Sequence, residues 1–151
     1  MYFLFVLQWH IVLHDYSDVC ICVSGLETVL QTGNMTEYPN NCARATASFS
    51  VLSDTINTIA SMLKDVHKRS DLVTLLSQLQ KEERDKLNLT AALHLERIRE
   101  RNLKLQVDGD EGVSRLLEEG VTSLKRKVAT CIDAINDLLE EIRYALAEED
   151  E

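Results

Sequence analysis

The chain has 151 residues, with 25 Asp and Glu against 16 Lys and Arg and a net charge of −9. That length suits one domain with a modest core; five glycines and one proline favour long helices over sheet or disorder, and an aromatic share of 5% makes the core aliphatic. An acidic chain without a basic stripe is a poor match for phosphate backbones, so direct nucleic-acid binding is not expected.

The chain opens on MYFLFVLQWHIVL, which is apolar but shorter than the roughly 20 residues of a membrane-spanning helix. A membrane partner is therefore not expected. Residues 1–24 fit three readings: a secretory signal without the usual leading Lys or Arg, a helix packed on the domain, or a start outside the working domain. His10, His14, Cys20 and Cys22 lie close together. C-x-C flanked by apolar residues is not a usual zinc knuckle, so ordinary packing is expected and no metal site. The four cysteines are few and irregularly spaced, as in a reduced intracellular protein.

Gln31 to Asn41 concentrates Gly33, Asn34, Pro39 and paired asparagines, a turn signal that predicts a helix start near Asn40 or Asn41. Cys42, Ala45, Phe49, Leu52, Ile56, Ile59, Leu63 and Val66 then recur at steps of three and four, the seam of a first long helix over about 41–69. Ser70-Asp71 offers an N-cap and an acidic first turn for a second helix over about 71–105. The joint holds no Gly or Pro, so one continuous rod over 41–105 is the alternative.

The second helix is the middle one. Leu87, Ala91, Leu95, Ile98 and Leu105 form one stripe, with Leu72, Leu76 and Leu79 beside it and Leu75, Leu89 and Leu93 widening the arc. An arc that wide needs two neighbours to cover it. Glu82 to Lys86 and the run Glu96 to Arg101 alternate in sign, which predicts a solvated ion-pair face. His94 lies at the edge of the apolar arc, where a packed histidine is expected. Val107 to Gly112 contains two glycines and reads as a turn, because it lacks the calcium-loop frame. A last helix over about 114–147 carries the seam Leu117, Val121, Leu124, Val128, Cys131, Ile135, Leu138, Ile142 and Ala145.

The pattern predicts an all-α protein: an elongated, antiparallel, coiled-coil-like bundle of three long helices. It comprises a helical domain over 25–147, preceded by the apolar segment 1–24 and followed by an acidic tail, 148–151. Phe49, Leu52, Ile56 and Ile59 should meet Leu87, Leu95 and Ile98, and Val128, Ile135 and Ile142 should close the same core.

The sequence holds no glycine-rich phosphate loop, no G-x-S-x-G and no H-E-x-x-H. No catalytic residue, cofactor or metal ligand is assigned, and an enzyme is not expected. The reading that remains is a helical module acting through other proteins.

Two stretches carry a family resemblance. Leu79-Gln80-Lys81-Glu82-Glu83 with Leu87 is similar to the segment opening the middle helix of the "required for excision 1-B" domain family. Leu124-Lys125-Arg126-Lys127-Val128, Ala134-Ile135, Leu138-Leu139 and Glu141-Ile142-Arg143 resemble its final helix. Glu37-Tyr38-Pro39 resembles the element before the first seam helix, and Gly25-Leu26-Glu27 the tail of an earlier one. The resemblance spans about 25–147 and implies a small all-helical protein serving DNA excision repair. Its partners would then be other proteins, including repair factors, and its location the nucleus. A coiled-coil subunit of an unrelated assembly and an exported helical protein are the competing readings.

Overall fold

The structure is a computed structural model, and it describes residues 25–106 and 110–147. All regular structure in those residues is helical. Residues 25–32 form α1, followed by α2 (Tyr38–Asp65), α3 (Ser70–Lys104) and α4 (Glu111–Ala147). The readings placed on His10, His14, Cys20 and Cys22 lie outside the described residues, as does the acidic tail. The chain forms two compact units, residues 1–62 and 63–151.

In the first unit, Leu26 and Val29 of α1 are almost fully buried. The Gly33 N–H reaches the Val29 carbonyl at 2.8 Å, with φ at 77°. This left-handed stop is one that glycine makes without steric cost. Asn34 then accepts from the Thr36 N–H at 2.9 Å, closing the turn.

The next helix starts earlier than expected, at Tyr38 rather than near Asn41, and its first carbonyl partner is Glu37, which accepts from the Asn41 N–H at 3.0 Å. Pro39 is inside the first turn, where a missing N–H leaves no helical bond unmade. Gly25 packs so closely on Asn41 that a Cβ would stand 2.7 Å from its amide nitrogen. Along α2 the seam holds: Ala45, Ile56, Ile59 and Leu63 are buried, while Cys42, Phe49 and Leu52 are half-buried. Val66 departs from it, because the helix has ended at Asp65 and the side chain is exposed. Thr46, Thr55, Thr58 and Ser61 return their hydroxyls to carbonyls one turn back, so these polar side chains are satisfied within the helix.

The chain breaks between α2 and α3, which removes the continuous-rod alternative. Lys68 takes φ of 56°, and the Arg69 N–H donates to the Leu63 carbonyl at 3.0 Å, folding the backbone over the end of α2. Ser70 is not the cap of α3. Arg69 holds that position without a side-chain cap bond, and its own carbonyl accepts from Val73.

In the second unit α3 and α4 pair as an antiparallel hairpin. By its rise per residue α3 is roughly 50 Å long. At the closed end Lys104 approaches Glu118, and at the open end Arg69 reaches Ala145. α4 begins at Glu111, three residues before the expected start. The Asp110 carboxylate accepts from the Gly112 N–H at 2.7 Å and the Val113 N–H at 3.3 Å, capping the first turn. Gly112 is therefore helical, not part of the turn.

On α4 the expected seam is the buried seam. Val121, Cys131, Ile135 and Ile142 are buried, and Leu117, Leu124, Val128, Leu138 and Ala145 are half-buried. At about 25 cal/mol per Å² of apolar surface, each fully covered Leu or Ile contributes about 2 kcal/mol.

Candidate interaction surface on the second unit

The faces of α3 do not fall where its leucines suggest. The residues buried along it are Leu72, Leu76, Leu79, Lys86 and His94. Leu87 and Ile98 are half-buried, Ala91 is exposed, and Leu95 and Leu105 are 55% and 66% exposed. The expected stripe is thus rotated part-way out into water. The width of the covered arc does hold, since half-buried positions flank the buried row on both sides.

The charged run divides in the same way. Lys81 pairs with Glu82 at 3.1 Å and Asp85 at 3.2 Å, Arg99 with Glu96 at 2.7 Å, and Lys104 with Glu100 at 2.6 Å. Those cations face solvent, as expected. Glu83 and Lys86 do not. Their ion pair, 2.6 Å long, is formed by side chains only 14% and 10% exposed. The spacing of three residues stacks the two groups on one face, and that face is covered. Hydrophobic pattern alone misses them, because a long Lys stem is buried as readily as an aliphatic side chain once a carboxylate meets its head.

His94 is 4% exposed. Burial, and then the nearby Arg97 charge, hold its imidazolium below the ordinary histidine range, so the ring is neutral at pH 7. It stands about 12 Å along the axis from Lys86, too far for shared proton transfer. Facing α3 from α4, Cys131 is buried, and burial followed by the Glu82 and Asp85 carboxylates pushes its thiol up. A protonated thiol is a weak nucleophile.

Surface cations make contacts of the same pairwise kind. The Lys81 and Lys104 ammonium groups are held above their usual range by hydrogen bonds to Glu82 and Glu100 respectively. An open depression of about 460 Å³ on the outer side of α4 is lined by Arg115, Glu118, Glu119, Thr122, Ser123 and Arg126. Arg115 there already lies 3.6 Å from Glu119. Among the described residues no group of His, Cys, Asp or Glu gathers to hold a metal ion, and no helix is long and apolar enough to cross a membrane.

What this unit offers chemically is a packed pair of helices with a patterned exterior. The outward faces carry Leu95 and Leu105 on the α3 side, and Val113, Leu116, Ile132 and Tyr144 on α4.

Set beside known proteins, the chain matches no curated protein and no solved structure. Residues 22–97 match the model of a family described as DNA repair REX1-B. That stretch takes in α1, α2 and α3 as far as Arg97, and with it Glu83, Lys86, His94 and Leu95. The final-helix motif at 124–143 lies beyond the match. Because the matched stretch is half of the chain, the protein belongs to the DNA repair REX1-B family.

Proposed function

We propose that this protein is a non-enzymatic helical adaptor in DNA excision repair, presenting helix faces to other proteins, including repair factors, in the nucleus. The observation that carries the reading is the family match over 22–97 together with what that stretch contains. The ion pairs along α3 are local to the helix, Lys81 with Glu82 and Asp85, Lys86 with Glu83 and Arg99 with Glu96, which supports an interaction role better than a site where groups from several elements converge on one reacting atom. The net charge of −9 favours partners that are proteins over a bare phosphate backbone.

A null strain tests the reading. Loss of the gene should lower survival after ultraviolet irradiation and slow removal of photoproducts, and the wild-type gene should restore both. Normal survival and normal photoproduct removal would end the repair assignment. Normal repair, with co-purification in some other assembly, would favour a structural subunit instead.

A further inference from the structure

The outward side of α2 carries a second pattern beside its buried seam. Asn41, Ser48, Thr55 and Met62 recur every seven residues, and Arg44, Val51, Thr58 and Asp65 repeat at the same interval next to them. Val51 is 66% and Met62 42% exposed, and no residue of either row is buried. Between Arg44 and Asp65 the two rows hold no charge. The Thr55 and Thr58 hydroxyls donate to the Val51 and Asp54 carbonyls, each at 3.0 Å, so neither needs a polar partner outside the helix. The face is uncharged and hydrogen-bond-satisfied, with two large apolar side chains in water.

Residues 1–24 have the composition to cover it. From Met1 to His14 the chain has no Asp, Glu, Lys or Arg and is apolar at most positions, so water is a poor solvent for it. Nothing in that stretch asks for a charged partner, and the α2 face offers none. The segment also ends in the right place. Gly25 follows it and packs on Asn41, where a Cβ would stand 2.7 Å from the amide nitrogen, and Asn41 opens the row of Ser48, Thr55 and Met62. From Asn41, Val51 lies about 15 Å and Met62 about 31 Å along the axis, while 24 residues reach roughly 36 Å even when fully helical. Segment and face belong to the same compact unit, residues 1–62.

We infer that the occupant of this face is the chain's own N-terminal segment: the apolar stretch 2–13 lies along α2 and covers Val51 and Met62. The contact is apolar and dry, and the small Ser48 lets the two backbones come close beside Val51. Arg44 and Asp65 bound it at either end, where charge returns to the surface. The segment is then a structural part of the first unit, independent of the repair reading.

Trp9 is the chain's single tryptophan, which makes the segment its own reporter. In the purified full chain its emission should lie to the blue of free tryptophan, resist acrylamide and stay unchanged on dilution. Val51→Asp and Thr58→Lys should each move the emission to the red and raise the acrylamide quenching constant about threefold or more, because a charge cannot stay under an apolar cover. Both side chains are exposed, so the helical circular dichroism should keep its amplitude. Thr58→Lys introduces the better helix former and therefore reads the contact even where Val51→Asp loses helix. Leu95→Asp, on the second unit, should leave the emission where it is. Emission like that of free tryptophan in the wild type, or insensitivity to both α2 variants, would overturn the inference. So would blue emission lost on dilution, which means that a second copy supplies the cover, or blue emission that appears only with phospholipid vesicles. A red shift with Leu95→Asp alone would place the segment elsewhere and overturn it too. None of these readouts depends on the outcome in the null strain.

Discussion

Arg69 Nη2 donates to the backbone carbonyl oxygen of Ala145 at 2.7 Å, while the same guanidinium holds both carboxylate oxygens of Asp71. One side chain thus ties the first turn of α3 to the last turn of α4. The α4 carbonyl it meets belongs to the last helical turn, where a partner from within the helix is lacking.

Removing this tie should loosen the open end of the hairpin. Arg69→Ala is expected to cost about 1–2 kcal/mol, the value of charge-assisted hydrogen bonds at a partly covered site. Arg69→Lys should recover little of it, since a single ammonium cannot serve Asp71 and Ala145 in the same geometry. Urea denaturation measures the loss. The Asp71 carboxyl is held down to about 2 by the Arg69 hydrogen bonds. Its contribution is complete above the ordinary Asp value near 3.9, and it fades as the pH falls toward 2. Asp71→Asn should remove that acid-side dependence.

The buried Glu83–Lys86 pair should behave asymmetrically. Lys86→Met alone strands a covered carboxylate and should cost roughly 3 kcal/mol. Glu83→Leu alone strands the ammonium and should cost a similar amount. The double replacement should be close to neutral, because neither charge then has to be desolvated. A double-mutant cycle by chemical denaturation reads the coupling. Additive losses would mean that both groups are better solvated than their 14% and 10% exposure indicates.

His94 makes stability depend on mild acid. Its folded pKa lies below the unfolded value, near 6.5, so the unfolded chain takes up the proton first. The stabilisation is therefore fully present above about pH 6.5 and is lost as the pH falls through the folded pKa. Unfolding free energy measured at steps from pH 7.5 to 5 should decline in the wild type. It should decline less in His94→Gln, which keeps a polar side chain of similar reach but does not titrate.

At the joint between α2 and α3, Lys68 occupies a backbone conformation that side chains disfavour. Lys68→Gly should stabilise the protein by a few tenths to about 1 kcal/mol, because relief of strain outweighs the added freedom of the unfolded chain. Lys68→Val should do the opposite, since a β-branched residue is poorly tolerated at positive φ. Thermal melts of the two variants against wild type distinguish the signs.

These same positions mark where pattern reading works. The α4 seam is legible from Leu117 to Ala145 because one covered side is enough to account for it. α3 is covered over a wider arc, so counting leucines does not locate its centre. Lys86 and His94 occupy buried places that an apolar count assigns to Ala91 and Leu95. The break at Lys68 is hidden for a different reason: the chain turns there without the glycine that ordinarily signals it. Asp110 is a recognisable cap in retrospect, but Gly112 just inside the helix makes the start of α4 look like loop.

The closeness in sequence of the α3 end (Lys104) and the α4 start (Glu111) also predicts an order of assembly. Those ends are neighbours along the chain, so the two arms can zip together from there at little loop-closure cost. Arg69 and Ala145 are 76 positions apart and meet only after the arms are aligned. Their bond is therefore expected to form after the folding barrier. Losing it should accelerate unfolding and leave the folding rate almost untouched.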